Sequence, residues 1–288
     1  MKRNKSFDGT PFYLVATPIG NLKEFSPRAK ETLEAVDFIC VEDTRTSGLL
    51  LSQFGIKKPL LSVHKFNEKS KIDLVISKLQ NGEKGAFLSD AGYPLISDPG
   101  NPLVSALIES GFKVSVINGP SALLPALIGS GLDTSRFMFI GFLHGNQKEM
   151  IETLNVYKDL KETLIFYEAP HRVNKTIATI YEVFAERKLI IARELSKLHE
   201  EYIYTTLEEF SSSPITDLKG EIVLVVEGNS RVSENNMEAH LASVLRLMKE
   251  KDYSAKEAIS VIALLSKVSK NELYQAYLDH QKQSLILK

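Results

Sequence analysis

Gly85-Ala86-Phe87-Leu88-Ser89-Asp90-Ala91-Gly92-Tyr93-Pro94-Leu95-Ile96-Ser97-Asp98-Pro99-Gly100 is the stretch from which the fold can be read. Residues 85–88 are apolar or small and stop at a cluster of turn formers, the pattern of a short buried strand. The loop that follows is longer than a simple connection needs and is rich in Gly, Pro and Asp, which favour turns. Pro94 and Pro99 stiffen it, while Gly92 and Gly100 let a ligand approach the backbone closely. Alone, it reads equally well as a surface loop with helix-capping aspartates, so its neighbours decide.

The same pattern recurs on both sides. Residues 12–16 are an apolar run stopped by Thr17-Pro18-Ile19-Gly20-Asn21, and residues 37–41 run into Glu42-Asp43-Thr44-Arg45. Residues 59–63 and 113–117 are further strands, the latter followed by Gly119-Pro120-Ser121-Ala122. Ser26-Pro27 reads as an N-cap with proline at the first helical position. Ala29, Leu33 and Val36 follow at helical spacing, as do Ile72, Val75, Ile76 and Leu79, and then Leu103, Leu107 and Ile108. Strands alternating with helices predict a mostly parallel, Rossmann-like sheet covered on both faces. In such sheets ligands bind beyond the carboxyl ends of the strands, where these unusual loops lie. Ser121 reads as the N-cap of the helix after it.

Past residue 118 the pattern changes. Apolar runs cover 137–140, 163–167, 189–192, 202–205 and 221–226. The last two are separated by a short Ser/Pro stretch with room for little more than a helical turn, which predicts a mixed sheet. Residues 227–236 are polar, a linker composition. Beyond them the periodicity is helical: Leu241, Val244, Leu245 and Met248; then Ala258, Val261 and Ile262; then Leu273 and Tyr277. Ser254 with Glu257, and Ser269 with Glu272, match capping boxes, and two short capped helices can form a helix-turn-helix. The expected organisation is an α/β domain over 1–118, a second α/β domain completing the cleft over 119–230, and a small helical domain over 231–288.

Composition narrows the function. At roughly 150 residues per domain, 288 residues hold about two domains. With 43% apolar and 25% charged residues the core can be sizeable. A net charge of −1 excludes a bulk polycation, so any RNA contact must use a local basic surface. Cys40 is the only cysteine, which excludes an intramolecular disulfide and a Cys-based zinc site and reads as a buried thiol. The basic N-terminus is not followed by an apolar signal segment, and no run approaches the ~20 apolar residues of a membrane span. A cytoplasmic protein away from membranes is expected.

Several chemistries lack their signatures. The first strand is not followed by G-x-G-x-x-G, and there is no G-x-x-x-x-G-K-[ST], no G-x-S-x-G elbow and no His or carboxylate cluster with metal spacing. In contrast, residues 17–21, 42–45, 89–100 and Glu168-Ala169-Pro170-His171-Arg172 resemble the motifs of the tetrapyrrole methylase superfamily, and within it the ribosomal RNA small-subunit methyltransferase I branch. Arg193-Glu194-Leu195-Ser196-Lys197-Leu198-His199-Glu200-Glu201 and Gly220-Glu221-Ile222-Val223 fit in the same order. The resemblance covers roughly residues 12–228, and several long motifs in fixed order are far more specific than one. Three positions depart from the pattern: Tyr93 and Ser196 stand where threonine is expected, and His144-Gly145-Asn146 stands where a proline and a basic residue are expected.

The resemblance implies two α/β domains with S-adenosylmethionine held in the cleft between them, S-adenosylhomocysteine as product, no metal, and a homodimer. By position its cofactor contacts fall on Asp90, Ala91, Gly92, Ile96, Ser121, Ala122, Tyr167, Leu195 and Gly220. It also implies that the substrate is 16S ribosomal RNA of the small subunit and the target a cytidine ribose 2′-hydroxyl. Because the sulfonium is already a strong electrophile, the protein mainly supplies position. Glu42, Asp43, Arg45, Glu168, His171 and Arg172 are then expected to line the substrate side, with the arginines on phosphates. Asp43, Glu168 or His171 could take or relay the proton; the alternative is a buried ion-pair network joining the domains. Lys197, His199 and Glu200 are further candidate substrate contacts, or a solvated face. Competing functions are a porphyrinoid methylase of the same fold and an RNA-binding protein without catalysis.

Overall fold

The computed structural model describes residues 9–229, 232–251, 253–266 and 268–286. Strands β1 (Phe12–Val15), β2 (Phe38–Val41), β3 (Leu60–Ser62), β4 (Gly85–Leu88) and β5 (Val114–Ile117) form a five-stranded sheet in the order β3-β2-β4-β1-β5. Every pairing is parallel. Helices α1 (Pro27–Ala35), α2 (Thr44–Gln53), α3 (Glu68–Gln80) and α4 (Asn101–Glu109) cover it. Alternate strand residues point to opposite faces, and the core divides accordingly. Val15, Ile39, Val41, Ala86 and Leu88 pack with Ala29 and Leu33 of α1 and Leu51 of α2. Phe12, Leu14, Phe38, Cys40 and Phe87 pack with Val75 and Leu79 of α3 and Leu103 and Leu107 of α4. Cys40 is the expected core thiol, and burial pushes its pKa up to about 12.

Local chemistry starts the helices. Ser26 Oγ accepts from the Ala29 amide at 3.1 Å, capping α1. Helix α2 is invisible to periodicity because its first turns are Thr, Ser and Gly; it begins because Asp43 accepts the Arg45 N–H at 2.8 Å. Helix α4 has only Gly100 at its cap, and the buried Glu68 of α3 supplies the missing acceptor to Leu103 N at 3.2 Å.

The second sheet is mixed, as expected. After α5 (Leu123–Gly129) come β6 (Phe137–Phe142), α6 (Gln147–Asn155), β7 (Thr163–Glu168), α7 (Val173–Phe184), β8 (Lys188–Arg193), β9 (Glu201–Thr206), α8 (Leu207–Ser212) and β10 (Ile222–Val226). The order is β6-β7-β10-β8-β9, with β6 and β7 parallel and the other pairs antiparallel. Central β10 is buried along its whole length, which its unbroken apolar sequence requires. Ser121 does not cap α5: Ala122 holds the cap position and offers no side-chain acceptor. The His144-Gly145-Asn146 departure starts α6, where Asn146 and Glu149 exchange hydrogen bonds of 2.7 and 3.2 Å in a reciprocal cap.

Both sheets belong to one compact unit, the chain up to Asn155 together with Glu162–Glu227. A second unit comprises Val156–Lys161 and the chain from Gly228 onward. It contains α9 (Val232–Lys251), α10 (Ala255–Ser266) and α11 (Lys270–Ile286) around Val244, Ala258, Ile259, Ile262, Leu273 and Tyr277. The expected box at α10 is present: Glu257 Oε2 accepts from Ser254 N at 3.0 Å, and Ser254 Oγ accepts from Glu257 N at 3.4 Å. At α11, Ser269 Oγ accepts from Glu272 N at 3.4 Å. Among the described residues no helix is long and apolar enough to cross a membrane.

Candidate active site

The loop after β4 is fastened to the end of β1. Thr17 and Gly92 form an antiparallel bridge, with Thr17 N donating to Gly92 O at 2.8 Å and Gly92 N to Thr17 O at 3.1 Å. Gly92 has φ +74°, which favours glycine. Leu95 and Ser97 take φ of 73° and 65° without that licence, and such strain persists only where the surroundings over-determine it. Tyr93 supplies part of that restraint: its hydroxyl accepts from Gly119 N at 3.1 Å, tying this loop to the turn after β5. A threonine hydroxyl, which the family pattern expects at Tyr93, lacks that reach.

Between the carboxyl ends of the first sheet and the second sheet lies a cavity of about 360 Å³, within the range of small-molecule sites. One wall is Ile19, the 91–93 and 96–98 segments, Ser121 and Ala122; the other is Phe142, residues 167–170, Leu195 and residues 220–223. Eight of the nine residues expected as cofactor contacts line it: Ala91, Gly92, Ile96, Ser121, Ala122, Tyr167, Leu195 and Gly220. Asp90 is not in the lining; its carboxylate accepts from Ser47 Oγ at 3.3 Å.

The walls are held by side chains from both sheets. Burial raises the pKa of the Tyr167 hydroxyl, against the opposing pull of the neighbouring Leu123 amide and Ser121 side chain. Phe139 and Phe142 meet the Tyr167 ring edge-on, at centroid distances of 4.8 and 5.7 Å. Lys197 Nζ lies 2.8 Å from Glu194 Oε1 and 3.3 Å from Glu221 Oε2. Its stem crosses Gly20 so closely that a Cβ there would sit 2.3 Å from Lys197 Cγ. Lys197 is thus a doubly paired strut between the loop after β1 and the second sheet.

The carboxylates divide into two kinds. Asp43 caps α2 and also pairs with Arg45, Oδ2 to guanidinium at 2.8 Å, and these bonds lower its pKa to about 2. Held that low, it is a weak base. Glu168 has no exposed side-chain surface; it accepts from Ala169 N at 2.8 Å and Thr176 Oγ1 at 2.6 Å, with Arg172 Nε 3.6 Å away. Arg172 in turn donates to the Leu143 carbonyl. Asp98 is different. It lines the cavity, and its pKa is pushed up to about 6 by burial and by Glu42 and Asp90, against a hydrogen bond from Ser89. Burial and the neighbouring carboxylates also raise Glu42, and burial first of all raises Asp90. His171 is exposed and outside the lining. Among the described residues no group of three or more His, Cys, Asp or Glu could hold a metal ion.

The profile of the tetrapyrrole (corrin/porphyrin) methylases matches residues 11–211, which take in the first sheet, every strand of the second except β10, and most of the cavity wall. The chain belongs to the tetrapyrrole methylase family. Within that family it falls in the ribosomal RNA small subunit methyltransferase I branch. The protein of that name from Pasteurella multocida is 40% identical over 93% of this chain and 96% of its own. Those of Streptococcus pyogenes serotype M1 and Bacillus subtilis are 42% and 38% identical, over 96% and 98% of this chain and 97% and 100% of theirs. The fold is shared with the crystal structures of the methyltransferase CobJ and of diphthine synthase, both at TM-score 0.59. These are 14% and 13% identical, covering 77% of this chain and 95% and 92% of their own. Beyond the residues expected as cofactor contacts, this tetrapyrrole methylase lines its cavity with Ile19, Asp98, Phe142 and Glu221, among others. Asp98 stood in the quoted loop, but only its folded surroundings distinguish it from Asp90.

Proposed function

We propose that this methylase transfers the methyl group of S-adenosylmethionine to the ribose 2′-oxygen of a cytidine in 16S ribosomal RNA. The observation that carries the reading is 38–42% identity to ribosomal RNA small subunit methyltransferases I over nearly the whole chain, together with a cavity built from the cofactor motifs. That cavity suits the donor: it is concave, mostly apolar, and edged by the Ser121 and Tyr167 hydroxyls and by backbone at 91–92 and 220. When bound, the donor supplies an electrophilic methyl group, so the residues must orient and desolvate rather than activate it.

Ala91, Gly92, Ile96, Ala122 and Leu195 shape the wall, and Tyr167, beside Ser121 and Leu123, sets its depth. Asp98 accepts the proton that the ribose hydroxyl loses: its pKa near 6 leaves it ionised yet basic at neutral pH. Asp43 and Glu168 position instead, Asp43 by holding Arg45 and starting α2, Glu168 by fixing Arg172 and the turn that carries His171. Arg45, 88% exposed at the side chain, remains available for a phosphate. Lys197 keeps the cleft wall in register. The enzyme works as a cytoplasmic homodimer.

The test is transfer of labelled methyl from S-adenosylmethionine to small ribosomal subunits that lack the modification, followed by nucleoside analysis. Labelled 2′-O-methylcytidine is expected. Label on another nucleoside or at a base atom would overturn the cytidine 2′-oxygen assignment, and uptake by a tetrapyrrole instead of RNA would overturn the substrate class.

A further inference from the structure

The loop after β3 presents an aromatic ring that the cavity does not use. Phe66 is 92% exposed, yet the turn that carries it is tightly built. Asn67 Oδ1 accepts from His64 N at 2.9 Å, Asn67 Nδ2 donates to Ser62 O at 3.2 Å, and Phe66 N donates to His64 Nδ1 at 3.3 Å. The next residue, buried Glu68, is bonded to the start of α4. The turn therefore holds the ring out in water, edge-on to His64 at a centroid distance of 6.2 Å. Exposed Lys65 and Lys69 flank it in sequence.

The turn also faces the right way. β3 lies beside β2 and β2 beside β4, all parallel, so residues 64–67 emerge at the same sheet edge as the cavity loop. Ser62 Oγ reaches the Glu42 carbonyl at 3.4 Å, which joins this turn to the segment bearing Arg45. Two strand spacings, about 10 Å, separate β3 from β4, a span that a neighbouring nucleotide of the same strand can cover. A planar apolar ring between cations on a rigid turn matches what unpaired nucleic acid offers, base faces alternating with phosphates. Isolated exposed aromatic residues are ordinary; the flanking charge and the shared edge set this one apart.

We propose that the 64–67 turn is a docking platform for single-stranded RNA flanking the methylated nucleotide, with Phe66 stacking on a base and Lys65, Lys69 and Arg45 meeting phosphates. The inference rests on the proposed RNA substrate and adds where the strand runs.

The chain has no tryptophan, so F66W places the protein's one indole on the platform, where it can be excited apart from the tyrosines. Binding of an unstructured, cytidine-containing RNA 12-mer is measured by emission quenching in F66W and by anisotropy of labelled RNA in all variants. The expected result is quenching on titration, and RNA affinity lowered about 5- to 100-fold by F66A, with S-adenosylmethionine affinity unchanged. Replacing Lys65 and Lys69 with alanine should reduce the salt slope by about 0.7 for each. No quenching together with an F66A affinity within twofold of the unaltered protein overturns the platform, as does an F66A change in sedimentation without loss of RNA affinity. RNA binding and quenching without methyl uptake by any RNA would support the platform while overturning the proposed reaction.

Discussion

Asp98 sits where its charge costs the fold something. Its carboxyl is raised from 3.8 to about 6 by burial and by the facing Glu42 and Asp90. The folded protein therefore holds this proton more tightly than the unfolded chain does, so the favourable contribution is present below about pH 4 and is lost as pH rises through about 6. At pH 7.5, Asp98→Asn should stabilise the protein by on the order of 1 kcal/mol, less than the full ~3 kcal/mol of a two-unit shift because solvent screens a half-buried group. The gain should vanish at pH 4 in denaturant titrations. The same change should slow single-turnover methyl transfer by about 10²–10⁴-fold, and the unaltered enzyme should gain rate with pH around a midpoint near 6. A flat profile, or full turnover by D98N, would remove Asp98 as the proton acceptor. The motif-derived candidates look different at this scale: Asp43 is occupied by Arg45, and both oxygens of Glu168 are occupied by Ala169 and Thr176. Residue type signals chemistry in a sequence, but whether an oxygen is free depends on partners that only folding brings near.

At the scale of elements, caps explain both what was legible and what was not. Ser26-Pro27 and the Ser254/Glu257 box are local, so they could be read directly, and both are present. Ser254→Ala should destabilise the helical unit by about 1 kcal/mol, seen as an earlier loss of protection in hydrogen exchange across residues 255–266 with the sheets unaffected. Equal protection in the variant would mean that packing around Ile259 and Ile262 alone sets the stability of α10. Helix α2 escaped because Thr, Ser and Gly carry little periodic signal, and α4 takes its acceptor from Glu68, 35 residues away. Ser121 looked like a cap in sequence, yet Ala122 holds that position and Ser121 lines the cavity beside the second sheet's Tyr167.

At the scale of the molecule, a chain of 32.2 kDa should sediment at twice that mass if the homodimer forms; a concentration-independent monomer would rule it out. What the sequence by itself determined is what depends on neighbours along the chain. Strand and helix alternation set the parallel first sheet, apolar runs with short gaps set the mixed second one, and motif order set the family. Eight cavity residues were named in advance because the family resemblance carries them over by position, and all but Tyr167, which lies in β7, stand outside the strands. Tertiary structure alone decided which carboxylate faces the cavity, that Lys197 is paired with Glu194 and Glu221, and that Phe66 stands in water. Each of those depends on the dielectric and the charges around an atom, and residues far apart in the chain create both.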